Sequence, residues 1–241
     1  MRNNLATIIM AGGKGTRMNS SLPKVLHKLN DKTLIEHVIE KAKKIDSNKI
    51  VVIVGYKHNQ VIDHLKDMNL EFVLQEKQLG TGHAIMQCEA LMQSFNGHTL
   101  ILSGDVPLIT KQTLINLYNY HIKNNSDATV MSAKINDPYG YGRIIRNGNL
   151  FESIVEEKDA NIDQKKINEI NSGIYIFNNK ILFNHIKKIN NNNTQKEFYL
   201  PDVLPVLIDN NYKILVYNSN NNDEIRGINT IEHLNELEKK I

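Results

Sequence analysis

The residue types best suited to handling phosphate lie near the N-terminus. Ala11-Gly12-Gly13-Lys14-Gly15-Thr16-Arg17 follows a short apolar run, and Leu22-Pro23-Lys24 comes soon after it. Glycines let the backbone approach a ligand closely, and successive amide N–H groups in such a turn form a nest for anionic oxygens. A plain turn between a strand and a polar segment would show the same glycines. The cations Lys14, Arg17 and Lys24 favour the nest. Two phosphate charges ~4 Å apart repel by roughly 1 kcal/mol in water and about 4 kcal/mol at an effective dielectric near 20, so phosphorylated reactants meet only where that repulsion is cancelled. The turn has neither the Walker A spacing nor the dinucleotide fingerprint, which would require a glycine where Met18 stands.

A carboxylate with the opposite task follows further along. Asp105 closes the apolar run Thr99-Leu-Ile-Leu102 through Ser103 and Gly104. An acid ending a buried strand is costly without a partner, and a hard magnesium ion bridging phosphates is a suitable one. The competing reading of Asp105 is a turn or cap before Val106-Pro107.

These residues need a scaffold, and the chain supplies an alternating one. Apolar and β-branched runs predict strands over Leu5 to Met10, Ile50 to Val54, Glu71 to Leu74 and Thr99 to Leu102. Helical spacing predicts helices over Thr33 to Ile45, Gln60 to Asp67, Thr81 to Leu91 and Thr110 to His121. Such alternation implies an α/β fold with a largely parallel sheet and helices on both faces, its ligands at the carboxyl ends of the strands. The second half reads as extended segments over Ala128 to Lys134, Glu152 to Val155 and Ser172 to Phe177, with a turn at Gly140 to Arg143. It closes with an amphipathic helix over Ile231 to Lys240, Leu234 and Leu237 inward.

Composition narrows the classes. At 241 residues, 41% hydrophobic and 23% charged, the chain can bury the core of one domain, and no internal repeat or linker is visible. No run approaches the roughly 18 to 20 apolar residues of a membrane span, and Met1-Arg2 leads into a strand instead of a signal peptide. With the single Cys88 and no zinc-like spacing, a reduced cytoplasmic setting without a membrane partner is expected. The net charge of +3 is mild and its lysines are dispersed, which argues against nucleic acid and for a small anionic ligand.

Gly13-Lys-Gly-Thr-Arg17 with Pro23-Lys24 resembles the signature of the sugar-nucleotide pyrophosphorylases. Further motifs recur in that family's order: Gln75 to Ala84, Gly104 to Leu108, Tyr139 to Arg143, Val155 to Asp159, Glu169 to Gly173, Glu197 to Tyr199 and Gly227 to Asn229. Together they are similar to the bacterial N-acetylglucosamine-1-phosphate uridylyltransferase domain, and they span nearly the whole chain.

The resemblance implies a Rossmann-like, GT-A-like nucleotidyltransferase fold with a mostly parallel mixed sheet. It implies a single domain over 1–241, with a nucleotide-binding half to about residue 110, a sugar-binding half to 228 and a C-terminal helix over 229–241. Ala11, Gly12, Gly13, Lys14, Gly15 and Thr16 would lie along the nucleotide, with Arg17 and Lys24 at the phosphates. Gln75, Gly80 and Thr81 would read uracil, the carboxamide offering both a donor and an acceptor. Gly104, Gly142, Glu156 and Asn171 would hold the sugar, and Asp105 with Asn229 would hold Mg2+. Asn229 also reads as an ordinary turn or cap residue near Thr230. His83 and Cys88 are read as helix residues with no chemical role.

The implied reaction is attack of the sugar phosphate on the α-phosphorus of UTP, with pyrophosphate leaving, by positioning and charge neutralisation alone. Arg17, Lys24 and Asp105 are its expected catalytic residues. Three departures stand out. No β-helix acetyltransferase domain follows Ile241, so a monomer or weak dimer is expected; Ser103 stands where some members have Tyr, and Pro201 where Thr is frequent. The alternatives are a nucleotidyltransferase using dTTP or CTP with another sugar phosphate or phosphorylated alcohol, and a non-catalytic nucleotide-sugar sensor. A glycosyltransferase would be expected to carry Asp-x-Asp near Asp105, where the chain reads Gly104-Asp105-Val106-Pro107.

Overall fold

The structure, a computed structural model, describes residues 4–238. Met1 and Arg2, and Lys239 and Lys240 at the end of the last predicted helix, lie outside the described residues. The first half runs β1 (Leu5–Ala11), a small hairpin of β2 (Lys28–Leu29) and β3 (Lys32–Thr33), α1 (Leu34–Lys44), β4 (Lys49–Val54), α2 (His58–Leu65), β5 (Glu71–Leu74), α3 (Thr81–Met86), α4 (Glu89–Met92), β6 (His98–Ser103) and α5 (Lys111–Lys123). The second half runs β7 (Ala128–Lys134), β8 (Arg143–Asn147), β9 (Leu150–Val155), α6 (Ile162–Lys165), β10 (Glu169–Asn178), α7 (Asn179–His185), α8 (Val203–Asp209), β11 (Ile214–Asn218) and α9 (Ile231–Glu238).

The sheet order is β11-β7-β10-β6-β1-β4-β5, with the β8-β9 hairpin attached to β10. β5, β4, β1 and β6 are mutually parallel, whereas β10 is antiparallel to both β6 and β7. Side chains alternate across a strand, so a strand buried on both faces must be apolar at every position. Leu5 and Ile9, Val52 and Val54, and Leu100 and Leu102 face one core, which α1, α2 and α5 close with Val38, Val61 and Leu114. Ala6 and Ile8, Val51 and Ile53, and Ile101 face the other, closed by Ile85, Leu182 and Leu204. The expected layering of helices on both faces is thus present, and it leaves the carboxyl ends of the parallel strands on one open edge.

Several elements differ from the sequence reading. The predicted helix over Thr81 to Leu91 is broken into α3 and α4. β8, which the sequence reading lacks, follows the predicted turn at Gly140 to Arg143 and pairs with β9, whose second part agrees with the extended segment predicted over Glu152 to Val155. β11 pairs in parallel with β7 although 79 residues separate their ends. Helix α1 starts where Thr33 and Glu36 form a capping box, Glu36 accepting from the Thr33 backbone N–H at 2.7 Å. A third apolar cluster, Leu29, Leu34, Ile228, Leu234 and Leu237, docks α9 against the β2-β3 hairpin and brings the C-terminal segment back toward the first strand.

Candidate active site

Two cavities adjoin at the open edge. One, about 340 Å³, is lined by Ala11, Gly12, Gly13, Lys14, Gln75 and Gly80 among others. The second, about 230 Å³, includes Gly142, Glu156, Asn171, Tyr175 and Asn229 in its wall. Met10, Thr81, Ser103 and Asp105 line both, so Asp105 stands at their junction. Most of the residues singled out in the sequence therefore converge, although they come from separate strands and loops along the whole chain.

Asp105 is buried, and its backbone carbonyl accepts from Ile228 N–H at 2.9 Å, tying the 227–229 segment beside it. The Ser103 hydroxyl donates to its Oδ1 at 2.6 Å, and the Lys24 ammonium pairs with Oδ2. That ammonium also donates to Asn229 Oδ1 at 3.2 Å, and Arg17 Nη2 donates to the same oxygen at 3.0 Å. Burial would push the Asp105 carboxyl up, but the Lys24 charge and the hydrogen bonds from Lys24 and Ser103 outweigh it and hold the group below the usual carboxylate range. It is an anion at neutral pH.

Two oxygens, one charged and one neutral, thus face a single small cation. Among the described residues no group of three or more acidic, histidine or cysteine side chains forms a metal cage. Magnesium does not need one: it is held by one or two protein oxygens and completes its octahedron with phosphates and water. Asp105 and Asn229 fit that pattern, and the lysine already resting on both oxygens shows that a cation is accommodated there.

At the far end of the first cavity, Lys14 holds its ammonium 5.7 Å from the Tyr56 ring centre. Gln75 is buried and donates from Nε2 to Gly80 O at 3.0 Å, while His83 Nδ1 lies 3.2 Å from the same nitrogen. The Thr81 hydroxyl accepts from Leu200 N–H at 2.9 Å, which pins α3 to the segment bordering the second cavity.

The second cavity is walled by groups of another kind. Asn171 donates from Nδ2 to the Tyr175 hydroxyl at 2.7 Å and accepts from Gly173 N–H at 3.1 Å. Glu156 packs against Gly142 and is partly buried; desolvation, then the charges of Asp202, Asp159 and Glu197, push its pKa up to about 7, with Arg143 opposing. Asp202 is itself pushed up to about 6 by burial and then by Asp159. Arg143 lies beneath the turn, 2% exposed, with Nη2 2.7 Å from Glu157 Oε2 and Nη1 donating to Tyr141 O. Glu157 also accepts from Gly140 N–H at 3.2 Å, so this buried pair clamps the turn that carries Gly142.

Four of the expected site residues do not line either cavity. Gly15 and Thr16 lie beyond the wall, Gly15 at φ +61°, where a Cβ would sit 2.5 Å from Lys24 Cβ. Its role is to let the turn pass over Lys24. Gly104 sits behind the wall against Met10 O and Val25, and Arg17 reaches the site only through Asn229. Conversely, Tyr175 and Asp202 carry no motif that marks them, and His83, read as a helix residue without a role, lies beside Gln75.

A family model described as nucleotidyl transferase matches residues 6–223. The chain is 46% identical over 223 residues to a protein named bifunctional protein GlmU from Streptococcus agalactiae, covering 92% of this chain and 48% of that one. The namesake from Streptococcus uberis matches with the same identity and the same coverage. The chain therefore spans about half the length of these curated relatives. A crystal structure of UDP-glucose pyrophosphorylase with UDP-glucose superimposes with a TM-score of 0.76 at 20% identity, over 100% of this chain and 98% of that one, a likeness of fold.

Proposed function

The chain belongs to the nucleotidyl transferase family, and from that footing we propose that it transfers the uridylyl group of UTP to N-acetylglucosamine 1-phosphate and releases pyrophosphate. The observation that carries the reading is the pair of cavities meeting at Asp105, with Lys24, Arg17 and Asn229 gathered at the seam. A nucleotide in the first and a phosphorylated sugar in the second would bring their phosphates together where the cations are. The order of motifs supports UTP and the acetylated amino sugar as the pair.

No side chain is placed as a nucleophile, and none is required, because the attacking phosphate is already an anion. Lys14, Arg17 and Lys24 offset the charge of the two reactants, and the amides of Gly12 and Gly13 orient the triphosphate. Glu156 and Asn171 hold the sugar. Asp105 and Asn229 would hold Mg2+, which when bound adds two positive charges between the phosphates. Lys24, paired with Asp105 at the seam of the two cavities, would offer its charge to the phosphate oxygens there. The protein acts as a monomer or weak dimer in the cytoplasm, built as one nucleotidyltransferase domain, and its product supplies cell-envelope polymers such as peptidoglycan. No helix among the described residues is long and apolar enough to cross a membrane.

The test is pyrophosphate release with UTP, dTTP, CTP and ATP against N-acetylglucosamine 1-phosphate, glucosamine 1-phosphate and glucose 1-phosphate, with and without Mg2+. Turnover confined to, or strongly favouring, UTP with the acetylated amino sugar is expected. Preference for another pair would reassign the substrates, and binding without turnover would make the chain a sensor.

A further inference from the structure

We infer that Asp159 is a positioning residue: it anchors the strap of residues 194–201, which contributes to the walls of both cavities, and so keeps the nucleotide and sugar pockets aligned. The inference rests on the reading of the two cavities as those pockets. Asp159 closes one of the recurring motifs and Tyr199 closes another, and neither has a part in the reaction described above. The fold brings them together.

The strap runs between the pockets. Glu197 lines the first cavity, and Leu200 and Pro201 line the second. Three hydrogen bonds fasten it to the loop that carries Gly80 and Thr81: Phe198 N–H donates to Leu79 O at 2.8 Å, Gly82 N–H to Phe198 O at 2.7 Å, and Leu200 N–H to the Thr81 hydroxyl at 2.9 Å. The fit leaves little slack, since a Cβ on Gly80 would come within 2.5 Å of Phe198 O and one on Gly82 within 3.0 Å.

Asp159 supplies the hold on the other side. Its own N–H bonds to Glu156 O at 2.9 Å, so it sits on the turn that presents Glu156. One carboxylate oxygen accepts from Thr194 N–H at 2.8 Å, and the other from the hydroxyl of buried Tyr199 at 3.3 Å. Burial would push the carboxyl up, but the hydrogen bonds from Thr194 and Tyr199 hold it below the usual carboxylate range, so it accepts as an anion at neutral pH. Asp159 lines neither cavity. It can reach the substrates through the strap, or through its charge on Glu156 and Asp202. The two routes differ in outcome: the charge bears on the sugar pocket alone, whereas the strap bears on both.

The experiment measures KM for UTP and for N-acetylglucosamine 1-phosphate, by pyrophosphate release, in the wild type, Asp159→Ala and Asp159→Asn. Asp159→Ala deletes both bonds and should raise both KM values, each up to about tenfold, the scale of a lost hydrogen bond. Asp159→Asn removes the charge but keeps an oxygen for Thr194 N–H and an amide that can donate to the Tyr199 hydroxyl, so it should restore most of both. Amide hydrogen exchange at Gly82, Phe198 and Leu200 should quicken in Asp159→Ala, while that at Ile53 in β4 holds. A KM change confined to the sugar phosphate, Asp159→Asn as impaired as Asp159→Ala, or unchanged exchange along the strap overturns the inference. Independently of any variant's folding, the Thr194 amide of the wild type should be protected from exchange, and exchange at the rate of a free chain overturns it as well. A wild type that prefers another pair of substrates reassigns the function alone, and the same paired rise is then expected with that pair.

Discussion

Replacing Glu156 with Gln should make the protein more stable at alkaline pH while weakening its hold on the sugar. The carboxyl is carried from an ordinary 4.5 in the unfolded chain to about 7 in the fold, first by desolvation and then by Asp202, Asp159 and Glu197. Below pH 4.5 the group is protonated in both states and contributes no penalty. Between 4.5 and 7 the unfolded chain releases the proton and the folded chain keeps it, so stability falls as pH rises through that window and stays lower above it. A tenfold change in proton affinity is worth about 1.4 kcal/mol, which makes the loss about 3 kcal/mol by pH 8. Gln has the same shape and no charge to desolvate. Urea unfolding of the wild type and Glu156→Gln at pH 4.5 and pH 8 should give nearly equal stabilities at the lower pH and an advantage of about 3 kcal/mol to the variant at the higher. KM for the sugar phosphate should rise in the variant, that for UTP hold. An equal difference at both pH values, or a variant less stable at pH 8, would refute the reasoning: the carboxylate would then have a partner in the fold.

Lys24→Ala and Asp105→Ala should each lower kcat by at least about 100-fold, the scale of one electrostatic group at a developing charge, while circular dichroism shows an intact fold; wild-type rates in either would remove the mechanism. Arg143→Met breaks a buried ion pair and should cost about 3–5 kcal/mol in urea unfolding, with part regained on adding Glu157→Gln. Tyr175→Phe deletes the hydroxyl that accepts from Asn171 and should raise KM for the sugar phosphate up to about tenfold without changing that for UTP, measured by pyrophosphate release.

Much of the scaffold was legible because its signals are local. Every residue of β4 after Lys49 is apolar, and such a run has no place except between two layers of helices. The β5 and β7 ranges agree with the predicted ones, and Thr33 marks the start of α1 through its own cap. The broken helix after Thr81 was not legible, since Thr81 to Leu91 keeps helical spacing while Cys88 N–H turns to Ile85 O. Nor was β11, whose only partner is a strand far earlier in the chain.

The same division runs through the site. Sequence by itself determined the glycine turn, the cations after it, the acid at a strand end and the order of motifs, because each depends on neighbours a few residues away. Tertiary structure alone decided that Lys24 meets Asp105 and Asn229 across 81 and 205 residues, and that Asp202, Asp159 and Glu197 crowd around Glu156. Charge, desolvation and hydrogen bonding act through space, and the distances over which they act are set only once the sheet has closed.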